Sequence, residues 1–87
     1  MMKIQYPPEG DSELMSEALD RLKGFVVTCT TTDGEQFTGT LREAFLDDDG
    51  WLAFEYNVWQ DMPNGGERET DDIDRARTID IELMDVA

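Results

Sequence analysis

Between Phe25 and Trp59, apolar and polar residues alternate with a period of two through three consecutive runs separated by turn chemistry. No other feature narrows the possible folds as much. The first run, Phe25-Val26-Val27-Thr28-Cys29-Thr30-Thr31-Thr32, is dense in β-branched residues, whose stiff χ1 suits a pleated surface and disfavours a helix. Asp33-Gly34 then supplies residues that accept positive φ in a tight hairpin. The second run puts Phe37, Gly39, Leu41 and Phe45 on one face. After the loop Leu46-Asp47-Asp48-Asp49-Gly50, the third run does the same with Leu52, Phe54, Tyr56 and Val58. The pattern predicts a strongly bent antiparallel meander, with Gly39 marking a bend or a close backbone approach inside its second strand.

Around this meander the chain is mainly β with an N-terminal α-helix. Residues 1–10 read as an extended arm, because Pro7-Pro8 favours polyproline geometry and Gly10 interrupts regular structure. A helix is expected over about 12–23: Leu14, Met15, Ala18, Leu19 and Leu22 recur at helical spacing, with Asp11 or Ser12 as the cap and Gly24 as the stop. Its apolar stripe would cover an open end of the sheet. Strands are expected over about 25–32, 36–45, 51–59, 67–73 and 78–85, the last with Ile79, Ile81 and Leu83 inward. Trp51 and Trp59 fall on the parity opposite to Leu52 and Phe54, either to cover a partner or to lie beneath the helix.

At 87 residues the chain supports one core, so 11–87 forms a single domain. The formal charge of −14, with seven basic residues and no histidine, repels phosphate backbones unless those cations are gathered in one place. No stretch is long and apolar enough to span a bilayer, and the N-terminus lacks the apolar run of a signal peptide, so a cytoplasmic protein without membrane partners is the expectation. The single cysteine, Cys29, shares the parity of Val27 and reads as a buried small apolar residue.

The sequence offers little to catalysis. Lacking histidine, it lacks the commonest general base, and Ser12 and Ser16 stand in no nucleophile motif. No catalytic residues, cofactor or metal are assigned. The run Asp47-Asp48-Asp49-Gly50 invites a calcium reading, but with Gly50 at the invariant glycine of an EF-hand loop, Phe45 and Tyr56 fall at the first and twelfth ligand positions. A solvated acidic turn is the alternative.

A helix followed by a five-stranded bent sheet, with glycine in the second strand and an acidic turn before the third, resembles the Sm-like (LSm) family. The carriers are Leu22-Lys23-Gly24 entering the first strand, Asp33-Gly34 at the first hairpin, the Gly39-Thr40-Leu41 bend, and Ile79 with Ile81. The resemblance implies an Sm-like/SH3-like small barrel that assembles into a homo-oligomeric ring, the fourth strand of one subunit pairing with the fifth of the next. Here that interface would use Glu67, Arg68, Glu69 and Ile73 against Thr78, Ile79, Ile81 and Leu83. It also implies RNA-binding residues: Phe45 to stack a base, Asp47 or Asp49 to bond its edge, and Arg75 and Arg77 near the last strand. The loop before the third strand, residues 45–50, has no asparagine here, and Ala76 stands where the family carries glycine.

The expected function is a non-enzymatic Sm-like ring that serves as an interaction or scaffold module and binds single-stranded RNA weakly. The alternative is an acidic inhibitor, a nucleic-acid mimic that occupies a basic protein partner.

Overall fold

A computed structural model describes residues 2–5 and 12–87, with side chains from Ser16 onward. The elements run β1 (Met2–Gln5), α1 (Ser12–Arg21), β2 (Val26–Thr31), β3 (Gln36–Leu46), β4 (Leu52–Asp61), β5 (Glu67–Arg77), a 3-10 turn (Thr78–Asp80) and β6 (Ile81–Val86). One six-stranded antiparallel sheet takes the order β1-β6-β2-β3-β4-β5. The expected arm is therefore in part a strand, with Met2–Gln5 lying along β6. Its remaining residues, and the cap at Asp11, lie outside the described residues.

Helix α1 packs on β3 and β4, and its Leu19 and Leu22 are buried. It stops at Arg21 rather than Lys23, where a turn begins in which Leu22 N–H donates to the Leu19 carbonyl at 3.0 Å. Gly24 follows at φ +85°, a conformation that costs glycine little and other residues more. Beneath the helix, Val27, Cys29, Leu41, Phe54, Ile81 and Met84 are fully buried, and Phe37 stacks on Tyr56 with ring centroids 4.6 Å apart. Each such side chain stabilises the fold by about 1.5–3 kcal/mol through area removed from water. Gly39 is needed here: a Cβ at that position would overlap the Tyr56 ring and approach the Asn57 carbonyl oxygen to 2.9 Å.

Two bulges overturn part of the parity read from the sequence. In β3, Leu41 pairs with Tyr56 and Glu43 with Glu55, so Arg42 is the extra residue. Alternation flips there: Ala44 packs against the core, and Phe45, expected inward with Leu41, lies on the outer face as the partner of Ala53. In β6, Thr31 pairs with Ile81 and Thr30 with Leu83. Ile81, Met84 and Val86 are consequently the buried residues, while Leu83 is half-buried and Ile79, in the 3-10 turn, is exposed.

Phe25, expected inward beside Val27, is 50% exposed. It precedes β2, and its carbonyl accepts the Leu41 amide at 3.0 Å as the chain leaves the Gly24 turn. Strand β5 runs on past the expected residue 73, so Arg75-Ala76-Arg77 belongs to a strand rather than a loop. Of the two tryptophans, Trp51 is exposed and Trp59 is half-buried, its Nε1–H donating to Thr40 Oγ1 at 2.8 Å.

Candidate functional site

The end of β3, the β3–β4 loop and the end of β5 bring Phe45, Asp47, Asp49, Arg75 and Arg77 to one end of the outer face. The β4–β5 register places Arg77 beside Ala53 and Arg75 beside Glu55, and the β3–β4 register places Phe45 beside the same Ala53. Asp47, Asp48, Asp49, Arg75 and Arg77 line a cleft of about 250 Å³. Sequence reasoning therefore selected residues that the fold gathers.

What these residues do there differs from what the resemblance implies. Asp47 Oδ1 accepts the amides of Asp49 at 3.0 Å and Trp51 at 2.9 Å, while its Oδ2 meets Arg77 Nε at 3.0 Å. Both oxygens are engaged in holding the loop, and the side chain is only 11% exposed. Arg77 also donates through Nη2 to Asp49 Oδ2 at 2.8 Å, so a guanidinium occupies the place between two carboxylates that a calcium reading would give to the metal. Among the described residues no group of His, Cys, Asp and Glu side chains is arranged to hold a metal ion.

The Arg75 guanidinium lies 4.7 Å from the Phe45 ring centroid and 3.8 Å from Glu55 Oε2. The aromatic face that would stack a base is thus already covered by a cation. Glu43 and Glu55 are directly opposite each other, a repulsive juxtaposition relieved by Lys23 on one side, at 3.2 Å from Glu43, and Arg75 on the other. The Glu43 hydrogen bond and charge raise the Lys23 pKa. Between Lys23 and Ile73, a second cleft of about 460 Å³ is lined by Arg42, Glu43 and Glu55.

Neither buried ionisable group suits nucleophilic chemistry. Burial pushes the Cys29 thiol up to about 12, and burial with the nearby Asp74 charge pushes Tyr56 up to about 12. A thiolate at neutral pH would need the opposite shift.

The residues of the expected subunit interface are divided. Glu67, Arg68, Glu69 and Ile73 are exposed on β5, Ile73 at 58%. Thr78 is buried, with its hydroxyl donating to the Leu52 carbonyl at 2.9 Å, and Ile81 lies in the core. Leu83 pairs on one side with Thr30 and on the other with Gln5.

Sequence reasoning missed Asp47 as a loop clamp and Arg42 as a bulge. Both had signals. An aspartate three residues before a glycine is turn chemistry, and Glu43 falls at a position that unbroken alternation would have buried.

No family model, curated protein or solved structure matches this chain.

Proposed function

We propose that this chain is a non-enzymatic Sm-like small-barrel module that self-assembles into a ring by adding the outer edge of β5 to a neighbouring copy. The observation that carries this reading is β5 itself. Its 11 residues, Glu67–Arg77, pair with β4 on one side, and among the described residues no strand pairs with the other. An open row of backbone N–H and C=O groups is a template for another strand. The return of β6 to β2 supports the barrel reading, because a small barrel needs its last strand beside the first strand of the β2–β5 meander.

RNA is not part of this proposal, although the candidate residues are together. Arg77 is neutralised by Asp47 and Asp49, and Arg75 covers Phe45. A phosphate backbone entering the cleft would also meet Asp48 and Glu55. Titration with labelled oligouridine at low salt is expected to show no binding by the native chain or by an Arg75→Glu, Arg77→Glu variant. Saturable binding lost in the variant would restore the RNA role.

The assembly is tested by light scattering across a concentration series, with Ile73→Glu as the edge variant. Native chain should gain mass with concentration and Ile73→Glu should gain less. A native mass that never exceeds one chain, under conditions that also leave the β6 edge uncovered, would move the acidic-inhibitor reading to first place.

A further inference from the structure

We propose that β1 is an exchangeable cover on the outer edge of β6, and that its release governs whether a second copy of this chain adds its β5 there; the inference rests on the self-assembly reading. On one side of β6, β2 pairs with Leu83–Val86 through Thr30, Cys29, Thr28 and Val27. On the other side, the same residues pair with β1: Met2↔Val86, Lys3↔Asp85, Ile4↔Met84 and Gln5↔Leu83. Without β1, β6 would end the sheet with a free edge, while β5 ends it at the other side. Two open ends of one sheet define a head-to-tail contact between copies, which closes into a ring when its rotation permits.

Length and charge set the competition. Strand β1 has only 4 residues, so a longer strand that takes its place can make more backbone hydrogen bonds. Charge opposes that exchange. β1 is Met-Lys-Ile-Gln, with Lys3 sharing a register position with Asp85. β5 instead brings Glu67, Glu69, Asp71, Asp72 and Asp74 toward a β6 that carries Glu82 and Asp85. Opposite charges across a strand pair stabilise it and like charges weaken it. The cover is therefore favoured at low ionic strength, and salt that screens carboxylates shifts the balance toward the second copy.

The test uses the full chain with Lys3→Pro and Ile4→Pro together. Neighbouring amides along a strand point to opposite edges, so one of two consecutive prolines removes a bond toward β6. A second variant, Lys3→Glu, leaves the backbone intact and places like charges at one register position. Light scattering gives the concentration at which each protein assembles, and amide hydrogen exchange reports the β6 edge. Both variants should assemble at a concentration at least about tenfold below that of the native chain, and below their assembly concentration they should show faster exchange at the β6 amides facing β1. Added salt should lower the native chain's assembly concentration. Equal assembly by native and proline chains would overturn the cover and leave the self-assembly reading standing. Faster exchange without assembly by any of the proteins would overturn both, since an uncovered edge would then attract no second copy. Unchanged exchange in the proline variant, measured below its assembly concentration, would overturn the cover directly.

Discussion

The two ends of the sheet solve the edge problem in opposite ways. At one end, β6 is built into the core through Ile81, Met84 and Val86, and its outer side is covered by a strand of the same chain. At the other, β5 buries no side chain fully, carries five carboxylates and three arginines, and among the described residues no strand pairs with its outer side. Charge on an exposed edge discourages indiscriminate pairing. A second device acts within β5: Asn57 pairs with Ile73 and Trp59 with Glu69, so the edge is irregular around Thr70–Asp72. The covered edge is apolar enough to hold the fold, and the open one is polar enough to remain open. The core is in this way built at one end of the sheet, and the proposed pairing with a second copy falls to the other.

The largest expected effect separates the two ends by stability. Met84→Ala in β6 removes a fully buried side chain and should cost about 2–5 kcal/mol, whereas Ile73→Ala in β5 should change stability by no more than about 0.5 kcal/mol. Urea unfolding of both variants checks the contrast, and equal costs would erase it. Next is Gly39→Ala, on the strand between them. Its methyl would overlap Tyr56, so a loss of about 1–3 kcal/mol is expected, by the same measurement.

A smaller effect concerns how the end of β5 is fixed. Asp47→Ala leaves the amides of Asp49 and Trp51 without their acceptor and frees Arg77, a loss of about 1–3 kcal/mol. Asp47→Asn keeps an oxygen for those amides and should recover part of that loss. A full loss in Asp47→Asn would mean that charge, rather than the turn, fixes the loop.

One effect is absent near neutrality and appears only at alkaline pH, on the core side. In the unfolded chain the Cys29 thiol ionises near 9.0 and the Tyr56 phenol near 10.0, while in the folded chain both rise to about 12. Above the unfolded values the unfolded state binds fewer protons than the folded one, so stability falls as pH rises from about 9 to about 12. Below that window these two groups contribute no slope. Denaturation at stepped pH should show the decline, with a Cys29→Ala background isolating the phenol's share, and a thiol reagent should label native Cys29 only as fast as the chain opens.

Much of the core was legible in the sequence. Leu52, Phe54 and Tyr56 followed the period of two, and Leu19 with Leu22 followed the helical one, because in each case a single face is buried. The close approach at Gly39 was legible as well, since a missing side chain inside a strand needs a cause. Parity failed where a bulge inserts a residue: at Arg42, which sends Phe45 outward, and between Ile81 and Leu83, where Met84 and Val86 take over the core. A bulge changes which face a residue meets without changing composition, and at Arg42 its trace in the sequence is Glu43 on the parity of the buried Leu41. The site was legible as a set of residues but not as a set of roles. Whether Asp47 meets a ligand or its own loop depends on Arg77, which stands across the β4–β5 hairpin and far away in sequence. Strand β1 escaped because a short segment pairs by register with the far end of the chain, and no local pattern encodes that partner.

Edge-to-edge assembly is tested most directly by the mass in solution of the native chain and of its Lys3→Pro, Ile4→Pro variant, measured by light scattering over one concentration series. Assembly through β5 predicts that both rise above the 9.9 kDa of a single chain toward a common closed multiple, the variant at the lower concentration. A value of 9.9 kDa for both throughout the series, with the β6 amides of the variant exposed to exchange, would contradict it.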